Sequence, residues 1–165
     1  MASTTSNTII LKSNNPDNMA QRTRQNLGNG AIVPGELLVW ATADVDQHAT
    51  AGGNAQGKKV AIENPFSDHG TGKAIDHAYA DNETVSFIFA SPGDQLYMWL
   101  KDGQTAALGS VLVSDGAGAL QVHTPQAVNE AGSATFTSYV DAIVGYAAEA
   151  AAPSGARGRI RVDIA

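Results

Sequence analysis

The chain alternates short apolar stretches with turn-forming residues at intervals that suit strands rather than helices. Glu36-Leu37-Leu38-Val39-Trp40 follows Pro34-Gly35 as a buried-strand run. Lys59-Val60-Ala61-Ile62-Glu63 alternates by twos and stops at Asn64-Pro65. Val85-Ser86-Phe87-Ile88-Phe89 is β-branched and aromatic, and Ser91-Pro92-Gly93 ends it. Gln95 to Lys101 then runs into Asp102-Gly103, a pair that tolerates positive φ and predicts a hairpin. A second hairpin is predicted from Val111-Leu112-Val113, the turn Asp115-Gly116-Ala117-Gly118, and Leu120-Gln121-Val122. Residues 142–149 read as a strand, although Ala147 to Ala152 favours helix by intrinsic propensity. Arg159 to Ile164 alternates strictly, with Ile160, Val162 and Ile164 on one face and Arg159, Arg161 and Asp163 on the other. The expected fold class is mainly β.

Two regions interrupt this pattern. Residues 1–30 are rich in Asn, Ser, Thr and Gln and read as an extended N-terminal arm with one short helical turn begun by Asp17. Residues 64–82 carry Asp68, Asp76, Asp81, His69 and His77 without a long periodic run, and are expected to form a long loop excursion. The predicted organisation is therefore an arm over 1–30 and a β-rich body over 31–165.

Composition narrows the function. The 165 residues include 10 basic and 16 acidic side chains, a formal net charge of −6, which disfavours a binder that works by neutralising phosphates. Residues 1–30 hold Lys12, Arg22 and Arg24 against Asp17 alone, so a slightly basic arm precedes an acidic body. Cysteine is absent, which removes disulfides and thiol chemistry. No apolar run approaches the roughly 18 residues of a membrane span, so no membrane partner is expected. The first residues lack the basic-then-apolar order of a secretory signal, so the protein is expected to fold where it is made.

Candidate chemistry is sparse. Gly52-Gly53-Asn54-Ala55-Gln56-Gly57-Lys58 approaches a phosphate-binding loop, but Lys59 stands where Ser or Thr must hold magnesium, and a strand-like run follows instead of a helix. Asp44, Asp46 and His48 would share one strand face, and with Asp68-His69 and Asp76-His77 they form the candidate divalent-ion set, at spacings that match no calcium loop or zinc helix. His123 reads as a strand-end surface residue, and Trp40 and Trp99 as core. No nucleophile elbow is present. Neither a catalytic residue nor a cofactor is assigned, and the chain is not expected to be an enzyme.

Four stretches together resemble a known family. They are Ser91-Pro92-Gly93 through Trp99-Leu100, Gly109 through Leu120, Ala142 through Ala150, and Gly158 through Ile164. They are similar to the head decoration (cement) proteins of tailed bacteriophages. That resemblance implies a β-barrel or β-tulip-like body, commonly trimeric, on the outer face of an assembled capsid, with an N-terminal arm that reaches across neighbouring subunits. It implies the major capsid protein and further copies of this chain as partners, while the acidic balance leaves no nucleic acid among them. Lys12, Arg22 and Arg24 are then the candidate capsid contacts. The competing expectation is a ligand- or carbohydrate-binding β module that uses the excursion and its Asp/His groups with an ion.

Overall fold

A computed structural model describes residues 6–55, 57–64, 73–124 and 141–165. Eleven strands and one four-residue helix are found among them. The strands are β1 (Ile10–Lys12), β2 (Thr23–Leu27), β3 (Leu37–Trp40), β4 (Val45–Gln47), β5 (Lys59–Ala61), β6 (Thr84–Phe89), β7 (Gln95–Leu100), β8 (Val111–Ser114), β9 (Leu120–Val122), β10 (Ile143–Ala147) and β11 (Gly158–Ile164); the helix is α1 (Met19–Arg22). The expectation of a mainly β chain holds.

One sheet closes on itself. Its order is β1-β7-β11-β10-β8-β9, and β9 returns to β7 through a parallel contact at Leu100 and Leu120. Strands β7, β11, β10, β8 and β9 therefore form a closed five-stranded barrel, which removes the open sheet edges that invite aggregation. The longest pairing, β7 with β11, sets Ile160 opposite Met98 and Val162 opposite Leu96. These four side chains are fully buried and join Leu100, Leu112, Leu120 and Val144 in the first core. Alternation along β11 thus sorts its side chains as the sequence predicts. Three successive segments cover the remaining edge of β7: Tyr97 N–H donates to Ile9, Trp99 N–H to Gly35 and Lys101 N–H to Leu120.

The second sheet has the order β2-β6-β5-β3-β4. A parallel bridge between Gly28 and Val45, with Asn29 N–H donating to the Val45 carbonyl at 2.8 Å, brings its two outer strands together. Ile32, Leu38, Val45, Ala61, Tyr79, Val85 and Phe87 fill a second core. Strand β5 stands between the two cores. Its Val60 belongs to the first and its Ala61 to the second, and neighbouring strands divide in the same way, with Leu37 and Ile88 in the first and Leu38 and Phe87 in the second. All three β5 residues are consequently buried, Lys59 included.

Several expectations are corrected. Within residues 9–28 the N-terminal segment is part of the body rather than a free arm. Ile9 is fully buried in the first core, β1 pairs with β7, and β2 pairs with β6 along five residues. The polar composition misleads because β2 is an outer strand whose pairing is made by backbone groups, which need no apolar side chains. Asp102-Gly103 does turn the chain, but β7 forms no hairpin with the strand that follows; β8 pairs with β10 and β9 instead. The β8–β9 hairpin forms as predicted, with Gly116 and Gly118 at φ +85° and +76°. The expected strand near 142–149 is β10. Of the excursion over 64–82, residues 65–72 lie outside the described residues, while Tyr79 pairs with Ile32 across an isolated bridge.

Candidate functional site

The three basic residues of the N-terminal segment stand in different surroundings. Lys12 is exposed on β1. Arg22, at the end of α1, donates from Nη1 to Asp94 Oδ2 at 2.5 Å and from Nη2 to Ser13 Oγ at 2.7 Å. Asp94 is fully buried and also accepts the amides of Asn14 at 2.9 Å and Ser91 at 2.8 Å. Burial pushes this carboxyl up, but the Arg22 guanidinium and the two amides outweigh it and hold the group below its ordinary value. Arg22 is therefore a clamp between the N-terminal segment and the β6–β7 turn.

Arg24 is exposed on β2. Its Nη1 donates to the carbonyls of Gln21 and Thr23, which holds the guanidinium on its own segment. Arg24 lies opposite Phe87 of β6 in the strand register, on the face that lines the second core. Trp40, at the end of β3, meets Phe87 edge-on at 5.7 Å between ring centres, and Phe89 lies 6.5 Å away. Lys59 on the intervening β5 places its ammonium 5.2 Å from the Trp40 ring centre and 5.7 Å from that of Phe89. Burial lowers the Lys59 pKa. Trp40 itself is 49% exposed, which corrects its assignment to the core. One end of the second sheet thus carries a half-open aromatic rim, with Lys59 against its rings and Arg24 opposite Phe87 in register.

Trp99 is the more enclosed of the two indoles. The guanidinium carbons of Arg157 and Arg159 lie 4.5 Å and 4.1 Å from its ring centre, and its Nε1–H donates to the Pro34 carbonyl at 2.9 Å. Arg157 continues to the buried Glu36 at 2.5 Å, which also accepts from Val33 N–H and Gln47 Nε2. Arg159 continues to Asp76 at 2.5 Å. This cation–aromatic stack pins β7 and β11 to the 33–36 turn. It was not legible in the sequence, because its partners come from four distant segments.

The candidate ion set does not assemble among the described residues. His48 is buried with Nε2 2.7 Å from the Asn54 carbonyl, Asp46 binds Asn29, and Asp76 is engaged by Arg159. Asp68 and His69 lie outside the described residues. No group of three or more His, Asp and Glu side chains comes together among those described. The glycine-rich 52–58 stretch leads into β5, not a helix, so the N-terminal amides a phosphate requires are not presented there. Lys58 Nζ donates to the Ala165 carbonyl across a cleft of about 470 Å³ that Asp141 and Ile143 also line. Burial lowers the Lys58 pKa, with Asp141 opposing. His123 lies exposed just beyond β9, as expected.

No family model and no curated protein matches the chain. Among solved structures, it is similar to the head fiber gp8.5 N base in bacteriophage phi29, at 10% identity and a TM-score of 0.47, over 87% of this chain and 92% of that one.

Proposed function

We propose that the chain is a structural protein of the virion that decorates a bacteriophage head and stabilises it by bridging adjacent major capsid subunits on the outer surface. One observation carries this reading. The four stretches that resemble head decoration proteins cover β7, β8 with the turn that enters β9, β10 and β11, all strands of the closed barrel. The resemblance therefore follows one closed set of paired strands, rather than scattered positions.

The disposition of charge supports the same reading. Arg22, Arg157 and Arg159 are each engaged by an acid within the fold, at 2.5 Å in every case. They brace the body rather than attend an open cavity. The net charge of −6 keeps decorated particles from adhering to one another. Weak contacts repeated over a lattice act together, so a small rigid body with a few anchor residues is sufficient for a clamp. In this reading the chain acts as a homotrimer and has no catalytic role.

Mixing the purified protein with undecorated heads and sedimenting them tests the proposal. Saturable co-sedimentation and greater resistance of the heads to heat are expected, with a trimer mass for the protein in solution. Absence of the chain from purified virions would overturn the reading.

A further inference from the structure

Resting on the decoration reading, we propose that Trp40 and Arg24 form the docking point for an acidic, extended segment of the coat protein. Trp40 is 49% exposed at the end of β3, where its ring packs edge-on against Phe87. Arg24 projects from β2 on the same core-lining face, opposite Phe87 in register. Tryptophan and arginine are the residue types most enriched among those that dominate binding energy, particularly where the surrounding packing is rigid.

Both side chains are held in place before any partner arrives. The Arg24 Nη1 is fixed on the Gln21 and Thr23 carbonyls. Its Nη2 and Nε have no hydrogen-bond partner among the described residues, which leaves a planar fork suited to a carboxylate. On β4, Asp46 follows the inward-facing Val45 and so alternates to the outer side, where it binds Asn29. Arg24 thus offers an exposed cation opposite Phe87 on a molecule of net charge −6. A single fork beside one indole fits an acidic side chain next to an apolar one; a nucleic acid requires a longer basic track.

Two measurements on the full chain separate this inference from the reading beneath it. In the first, tryptophan emission is followed while an acidic pentapeptide of Glu and Asp around one Leu is added, with the Lys-for-acid peptide as control. A saturable blue shift is expected with the acidic peptide alone, lost in Trp40→Phe and weakened at least about tenfold in Arg24→Glu. In the second, head binding of Arg24→Glu and Trp40→Ala is compared with that of Lys101→Glu, an exposed change on the closed barrel. The first two are expected to lose about tenfold or more in affinity, and the third to bind as wild type. Thermal melting checks that every variant is folded. Equal head binding by all variants overturns the docking point and leaves decoration standing. Failure of the wild type to bind heads overturns the coat protein as partner, even where the peptide response survives. A response to a soluble oligosaccharide with none to the acidic peptide overturns the inference in favour of a glycan.

Discussion

Replacing Arg22 by Ala removes the one cation from a fully buried carboxylate. The Asp94 side chain is 1% exposed and that of Arg22 is 14% exposed. Breaking such a pair from one side costs about 3–5 kcal/mol where the remaining charge is left without partners. Here the Asn14 and Ser91 amides continue to hold Asp94, and solvent reaches Arg22, so the expected loss is about 2–3 kcal/mol. For a chain of this length that lowers the midpoint of thermal unfolding by roughly 5–10 °C. The sign of the pH dependence follows from the depressed folded-state pKa of Asp94. Its contribution is fully present above the ordinary carboxylate range and is lost as pH falls through the folded value. In Arg22→Ala the folded value rises toward the unfolded one, so less stability is lost through this group as pH falls, and the gap between wild type and variant narrows in acid. Urea unfolding of wild type, Arg22→Ala, Asp94→Asn and the double variant, at neutral and acidic pH, measures both effects. A coupling energy of at least about 1 kcal/mol is expected. A loss under about 0.5 kcal/mol in Arg22→Ala, with an unchanged pH profile, would refute the clamp.

Three further outcomes are expected. Gly145→Ala should destabilise severely, by about 3 kcal/mol or more, because a β-carbon there collides with the Asp163 carbonyl oxygen and lies 2.8 Å from a Val162 methyl; Gly103→Ala, with open space but φ +74°, should cost only about 1–2 kcal/mol in the same melts. Trp99→Leu removes the aromatic face between Arg157 and Arg159 and the Nε1 bond to Pro34, and should cost about 2–4 kcal/mol by urea unfolding. Tyr79 is buried, and its hydroxyl donates to the Ile62 and Glu63 carbonyls; burial pushes its pKa up to about 12, so its phenolate absorbance should emerge only near that pH, and Tyr79→Phe should cost about 1–2 kcal/mol.

The strands that close the barrel were legible because their patterns are local. Ile160, Val162 and Ile164 face inward as alternation requires, and Asp115 to Gly118 turns the chain between β8 and β9. The N-terminal segment was not legible. Nothing in Thr23 to Leu27 reports that β6 has an edge to offer, and nothing near Arg22 reports a buried acid 72 residues away. Alternation also misplaces Lys59, which the 59–63 pattern puts on a solvated face although β5 is covered on both sides. For the same reason the indoles exchange expectations in part. Trp40 closes a strand at an open rim, whereas Trp99 is enclosed by arginines near the other end of the chain. Among the candidate contacts, exposure of Lys12 and Arg24 followed from polarity, while the capture of Arg22 depended on tertiary structure.

Because β5 serves two interiors at once, damage cannot stay on one side of it. A substitution at Val60 unseats Ala61 and Lys59, and with them the rim around Trp40. Melting is accordingly expected to be a single event, with both cores lost together in one calorimetric transition. Such indivisibility means that the fold persists whole or fails whole.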